Sequence, residues 1–407
     1  MNYEYHKERV CPPTGRGDQL PQSSQRVTLA TGVKKFFVTG GSGMIGTNLL
    51  PRILRSFPAS TITLLMRGTD DAEVAGRIAH IVEVIRSEWP IPDLERRLQG
   101  IRGDIMQEHF GMAEKERERL VRETTHFIHG AATIRFDHPI GEARDINCKG
   151  TERALAMAQL GVDRGVLERF VYIGTSSVSG RRGGKIYEHE LEMGQEFFNT
   201  YEQSKCESER LVRDHMTRIP SVIFRPSIVI GDSRTGRTST FNVIYIPLRL
   251  FDRGMLKILP GSPHISLDLV PVDWVSDVIV FITRLETSVG RVCHVTAGHD
   301  RAARLGDVID RATLYFDSCH PLPKPRTVEY VSRDEFDRRR ASGHGRDISL
   351  LNQLDTLLPY ISVDRLFDSA TTDALLEGSS IQFPCFRDYA ENIFSYCVKT
   401  RWGKTEG

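Results

Sequence analysis

The stretch "TGGSGMIG", Thr39 to Gly46, follows the apolar run "KFFVTG" and leads into the helical pattern "IGTNLLPRILRSF". Gly40, Gly43 and Gly46 are spaced G-x-x-G-x-x-G. Such a loop turns tightly, lets backbone approach a pyrophosphate, and opens a helix whose N-terminus favours negative charge. Glycines alone also make a plain strand-to-helix turn. A buried strand before and an amphipathic helix after make this a dinucleotide loop. Thr39, Met44 and Ile45 are expected to share the cofactor contact with the three glycines.

The pattern continues outward from the loop. "TITLLMR", "THFIHGAA", "RFVYIGTS" and "SVIFRPSIVIG" are further apolar runs, separated by helical stretches such as "NCKGTERALAMAQL". Continuous apolar strands alternating with helices predict an α/β fold, a parallel sheet covered on both faces. After about Arg291 the alternation weakens, and "HPLPKPRTVEY" reads as an extended connection. Residues 1–31 are polar and rich in Gly, Pro and Gln, and read as a mobile tail.

The chain has 407 residues and a net charge of +1, so no bulk field recruits nucleic acid or acidic membrane. "RDEFDRRR", Arg333 to Arg340, is interrupted by acids and reads as a solvated helix face. No apolar run approaches the length of a membrane span. Seven cysteines are scattered without a C-x-x-C pair, so no metal site is expected. The odd count and the lack of a signal peptide fit a reducing, cytoplasmic compartment.

The second strand indicates which dinucleotide. An NAD site places an acid at its end for the ribose 2′-hydroxyl. Here the strand ends in Arg67, whose planar fork suits a 2′-phosphate. Arg77 follows in the next helix. Either arginine could be a plain surface residue, but together they point to NADPH/NADP+. In "GDI", Asp104 is placed to accept from the adenine amino group, or to cap a turn, with Ile105 beside it.

"TYEQSKCESERL", Thr200 to Leu211, carries Tyr201 and Lys205 at i and i+4, on one helical face. A nearby ammonium lowers a phenol's pKa, which would make Tyr201 a usable general acid or base. The lysine could also hold the nicotinamide ribose. Y-x-x-x-K is common by chance, yet "YIGTSSVSG" closes a strand upstream of it. A hydroxyl there would aim at the same carbonyl oxygen. Thr175 stands at the strand's end and is the expected donor; Ser176 and Ser177 are the alternatives.

These parts, in this order, resemble the extended short-chain dehydrogenase/reductase family, and within it the thioester-reductase and fatty acyl-CoA reductase branch, the male-sterility-type reductases. The motifs are "FFVTGGSGMIG", "LLMRG", "HGAATIRFD", "NTYEQSKCESERLV", "FRPSIVIGDSRTG" and "LVPVDWVSD", covering roughly residues 34–298, with a weaker match at "PYISVDRLFD". The resemblance implies a catalytic set of Thr175, Tyr201 and Lys205. It implies cofactor contacts from Ala131, Ala132 and Thr133, and from Pro226, Ser227 and Ile228 beside the nicotinamide. Arg67 and Arg77 match positions the branch uses for the 2′-phosphate. Asn147 matches an asparagine that braces the active-site helix, and His129 matches too, with a packing role expected. The chain departs from the branch in having Gly174, Thr175, Ser176 and Ser177 where Ser-Thr and Ala-Tyr are common.

The expected architecture is a Rossmann-type domain over 32–298, with 232–263 contributing to a substrate lobe, and a smaller, mostly helical C-terminal substrate lobe over 299–407. The expected activity is NADPH-dependent reduction of an acyl thioester, on coenzyme A or an acyl carrier protein, to aldehyde and possible alcohol. "FNVIYIPLRLF", Phe241 to Phe251, would line an acyl channel or pack in a core. The rivals are a ketoreductase or nucleotide-sugar enzyme on the same fold, and an NADP-binding regulator without turnover. A monomer or homodimer is expected.

Overall fold

The computed structural model describes residues 33–342 and 351–404; the expected tail at 1–31 lies outside them. A parallel sheet of seven strands forms its centre. In chain order these are β1 (Lys35–Thr39), β2 (Thr61–Met66), β3 (Leu98–Arg102), β4 (His126–His129), β5 (Arg169–Ile173), β6 (Ser221–Pro226) and β7 (Val292–Val295). Their spatial order is β3-β2-β1-β4-β5-β6-β7, with Thr39 level with Leu65 on one side and His129 on the other. The order reverses between β1 and β4, the place where such sheets open a crevice beyond their strand ends.

The inner strands are largely apolar on both faces because both are covered, while the edge strand β3, "LQGIR", is mostly exposed. Successive side chains point to opposite sides: Phe36 and Val38 join one core, Phe37 the other. On the first side lie α1 (Met44–Ser56), α2 (Asp71–Glu88) and α7 (Val272–Thr283). On the second lie α3 (Glu114–Glu123), α4 (Ile140–Asp163) and α5 (Thr200–His215).

A further core gathers residues from Ile228 to Leu269 and from Leu305 to Trp402. It contains α6 (Tyr245–Asp252), α8 (Leu305–Cys319), α9 (Arg333–Ser342) and α10 (Phe386–Lys399). α9 is solvated apart from its buried Phe336. The run "SVIFRPSIVIG" is not one strand. It leaves the main sheet after Pro226, and Ile228–Ile230 pairs instead with Leu269–Pro271. Ser227 marks the break, its hydroxyl donating to Asp268 Oδ1. No helix among the described residues is long and apolar enough to cross a membrane.

Candidate active site

The glycine loop joins β1 to α1 in the crevice. Gly40 has φ +76°, and a Cβ there would stand 2.5 Å from the Gly130 carbonyl carbon. A Cβ on Gly46 would stand 2.3 Å from the Gly40 carbonyl oxygen. The loop thus packs backbone on backbone, which only glycine permits. The first turn of α1 holds no acid and takes no side-chain cap at Gly43, so its amides are left for an anion.

Loop, strand ends and active-site helix border one cleft of about 860 Å³. It brings together Thr39, Met44, Ile45, Arg67, Arg77, Asp104, Ile105, Ala131, Ala132, Thr133, Thr175, Tyr201, Pro226, Ser227 and Ile228 with the three glycines. Arg77 donates to the Arg67 carbonyl at 2.6 Å, so both guanidinium-bearing residues sit at one end of the cleft. Asp104 Oδ1 accepts from the Met106 amide at 2.9 Å, the turn role allowed for it, while the residue still borders the cleft.

The reacting end is built on β5 and α5. Thr175 is buried, its hydroxyl oxygen accepting from the Ser177 amide at 3.2 Å, and its hydroxyl lies near enough to the Tyr201 phenol to lower that group's pKa against burial. Asn199 caps α5 by accepting from the Glu202 amide at 2.9 Å. The Phe136 ring stacks on Tyr201 at 5.7 Å. Asn147 ties the helix down: its amide donates to Ser204 Oγ at 2.9 Å, and its Oδ1 accepts from the Thr133 amide at 2.8 Å. Further along α5, the buried Glu209 accepts two hydrogen bonds from the buried Arg225 of β6, at 2.6 and 2.9 Å. The bidentate geometry fixes the helix on the sheet.

The expectation that Lys205 lowers the Tyr201 pKa is corrected by the structure. Burial raises that phenol to about 12, with the Thr175 hydrogen bond opposing. Lys205 does not border the cleft. Its ammonium donates to the Ile173 carbonyl at 2.9 Å and lies 4.3 Å over the Tyr172 ring. Burial lowers Lys205 itself to about 8. The i, i+4 spacing is present, but the lysine's partner is the strand end below it.

His129 is a packed residue, as expected. It bonds Thr39 Oγ1 at 2.8 Å and Thr151 Oγ1 at 3.3 Å, and burial lowers it to about 3. Only the approach to α6 reaches the cleft, through Asn242 and Val243; Tyr245, Leu248 and Phe251 pack in the lobe core. Several cleft residues carried no assignment in the sequence, two aromatic ones among them. Phe136 lies within "HGAATIRFD" and could have been marked as an aromatic beside the cofactor segment. Tyr360 is remote in the chain from every other cleft residue; it lies in "PYISVDRLFD", the weaker family match, which carried no role for it. Among the described residues no group of His, Cys, Asp and Glu could hold a metal ion.

Comparison with known proteins fits this geometry. The family profile described as Male sterility protein, an NAD-binding family, matches residues 38–279. The chain is 25% identical over 269 residues to nonribosomal peptide synthetase asaC of Aspergillus flavus, covering 64% of this chain and 26% of that protein. It is 28% identical over 271 residues to fatty acyl-CoA reductase wat of Drosophila melanogaster, covering 59% of this chain and 52% of that protein. It thus spans a quarter to a half of these relatives. The terminal R domain from the myxalamid PKS-NRPS biosynthetic pathway superposes with a TM-score of 0.77 at 28% identity, covering 93% of this chain and 94% of that one. With its glycine loop, crevice and α5 inside a match of more than half its length, the chain belongs to the NAD-binding male sterility protein family.

Proposed function

We propose that this protein is an NADPH-dependent reductase of acyl thioesters. The observation that carries the reading is one cleft shared by the glycine loop, the Arg67–Arg77 pair and the Thr175–Tyr201 hydroxyls. The uncapped α1 N-terminus would hold the pyrophosphate and the two arginines a 2′-phosphate. A bound reduced nicotinamide would supply hydride to a carbonyl carbon.

The chain's own part is to manage charge and one proton. As negative charge grows on the carbonyl oxygen, Thr175 and Tyr201 donate to it, and Tyr201 gives up its proton. A phenol raised to about 12 is protonated at neutral pH, the state a reduction requires. Lys205, fixed on the Ile173 carbonyl, places positive charge under the site. With a thioester, the tetrahedral carbon then breaks its bond to sulfur as its hydroxyl returns the proton to Tyr201, the departing thiolate takes a proton from water, and an aldehyde remains. A second round on the aldehyde would give the alcohol. The thioester is favoured over a ketone or sugar because the curated relatives include a fatty acyl-CoA reductase and a nonribosomal peptide synthetase. Coenzyme A and a carrier protein are both suitable donors.

The test is NADPH absorbance in the presence of acyl-CoA or acylated carrier protein. Turnover is expected, and Tyr201→Phe should lower kcat about 100-fold or more while leaving NADPH binding intact. Turnover of ketones alone would reject the thioester. Full activity in Tyr201→Phe would reject the proton donor.

A further inference from the structure

The C-terminal part of the chain sends one side chain into the reacting end of the cleft. Tyr360 stands in the short helix Leu358–Ile361 and borders the same cavity as Thr175 and Tyr201. Its neighbours Leu358, Pro359 and Ile361 are buried, so this helix turns its aromatic residue toward the cleft. The Ser177 hydroxyl faces the Tyr360 phenol, and the Tyr201 phenol lies near enough to raise the Tyr360 pKa further beyond the effect of burial.

Several ties hold this helix against the catalytic segment. Arg365–Phe367 pairs in parallel with Gly184–Ile186, shortly after the turn at Ser176–Ser179. The Arg365 guanidinium donates to the Pro359 carbonyl and lies 5.4 Å over the Phe198 ring. Glu202, next to Tyr201 and fully buried, accepts from the Phe198 amide at 3.0 Å and faces both Arg365 and Tyr360. Two phenols far apart in sequence thus border one end of the cleft. A wall needed only for shape would be served by phenylalanine, whereas a phenol that accepts from Ser177 keeps its own hydrogen for a ligand.

We propose that Tyr360 is a positioning residue for the substrate: its phenol donates to the thioester sulfur beside the reacting carbonyl, and its ring limits the bulk allowed on the acyl carbon there. This rests on the reading of the cleft as a carbonyl-reducing site. Tyr201 remains the proton donor, and Tyr360 transfers nothing.

The test compares wild type, Tyr360→Phe and Tyr360→Ala on straight-chain and α-branched acyl-CoA, the matching aldehydes and a ketone, with NADPH affinity read by fluorescence. Tyr360→Phe should raise KM for straight-chain thioesters by up to about tenfold, the worth of one hydrogen bond, with KM for the matching aldehydes and NADPH affinity unchanged and kcat less affected. Tyr360→Ala should shift the branched-to-straight ratio of kcat/KM toward branched substrates by about tenfold, from the ring volume removed. If wild type turns over and both variants match it in KM and preference, this inference alone falls. Loss of NADPH affinity in Tyr360→Phe also overturns it, since the residue would then serve the scaffold. A wild type that binds NADPH and reduces no carbonyl removes the underlying reading and this one with it.

Discussion

On the proposed reading, Arg67 and Arg77 would select the cofactor by charge. Each borders the same end of the cleft, and the hydrogen bond between them keeps the second turned toward the first. Losing one charge-assisted hydrogen bond costs about 1.5–3 kcal/mol, roughly tenfold or more in affinity. Arg67→Ala should therefore raise KM for NADPH at least about tenfold and leave KM for NADH nearly unchanged. The measurement is the ratio of the two kcat/KM values. At this scale the residue types were readable, because a loop glycine, a strand-end arginine and a phenol four residues from a lysine each have a mechanism. What the sequence did not hold was burial. It set the ionisation of Tyr201 and Lys205 against the simple pairwise expectation, since desolvation depends on residues far along the chain.

At the scale of elements, the junction of β1 and α1 is the least tolerant. Gly40→Ala combines a left-handed φ with a Cβ 2.5 Å from backbone atoms of Gly130. Nothing in that contact can swing aside. The variant should lose NADPH binding, and the β1–β4 contact should loosen at a cost of at least about 1–3 kcal/mol, read as a lower Tm. Five of the seven parallel strands announce themselves as apolar runs and were legible, whereas the edge strands Leu98–Arg102 and Val292–Val295 were not. Nor were the two-stranded pairs. Ile258–Pro260 with Glu329–Val331, and Gly184–Ile186 with Arg365–Phe367, are three residues long and owe their strand form to their partners. The break at Ser227 was hidden for a similar reason: its cause, Asp268, comes from another element.

Across the whole molecule, buried titratable groups set the response to pH. His126, His129 and His294 are each lowered to about 3, by burial first and neighbouring cations next. Their folded pKa lies below the unfolded value, so their contribution is full above about 6.5 and is lost as pH falls. Glu202 and Asp268 run the other way, raised by burial to about 7 and about 6. They favour the folded state while protonated, and that advantage is lost as pH rises from about 4.5 through their folded values. Glu202→Gln should therefore be more stable than wild type at pH 8, by up to about 3 kcal/mol, with the gap closing near pH 4.5. Tm measured across that range checks it; a constant gap would show that ionisation at Glu202 is not its source.

The parallel pairing of Gly184–Ile186 with Arg365–Phe367 also bears on how the protein is made. The glycine loop and the Ala131–Thr133 segment need little beyond β4 and can assemble early, whereas the wall bearing Tyr360 waits for residues 358–367 to leave the ribosome. A nascent chain would thus gain a grip on its coenzyme well before it can discriminate among substrates. Protease pulses on stalled chains would show this as cutting around residue 184 until residue 367 has emerged, and protection afterwards.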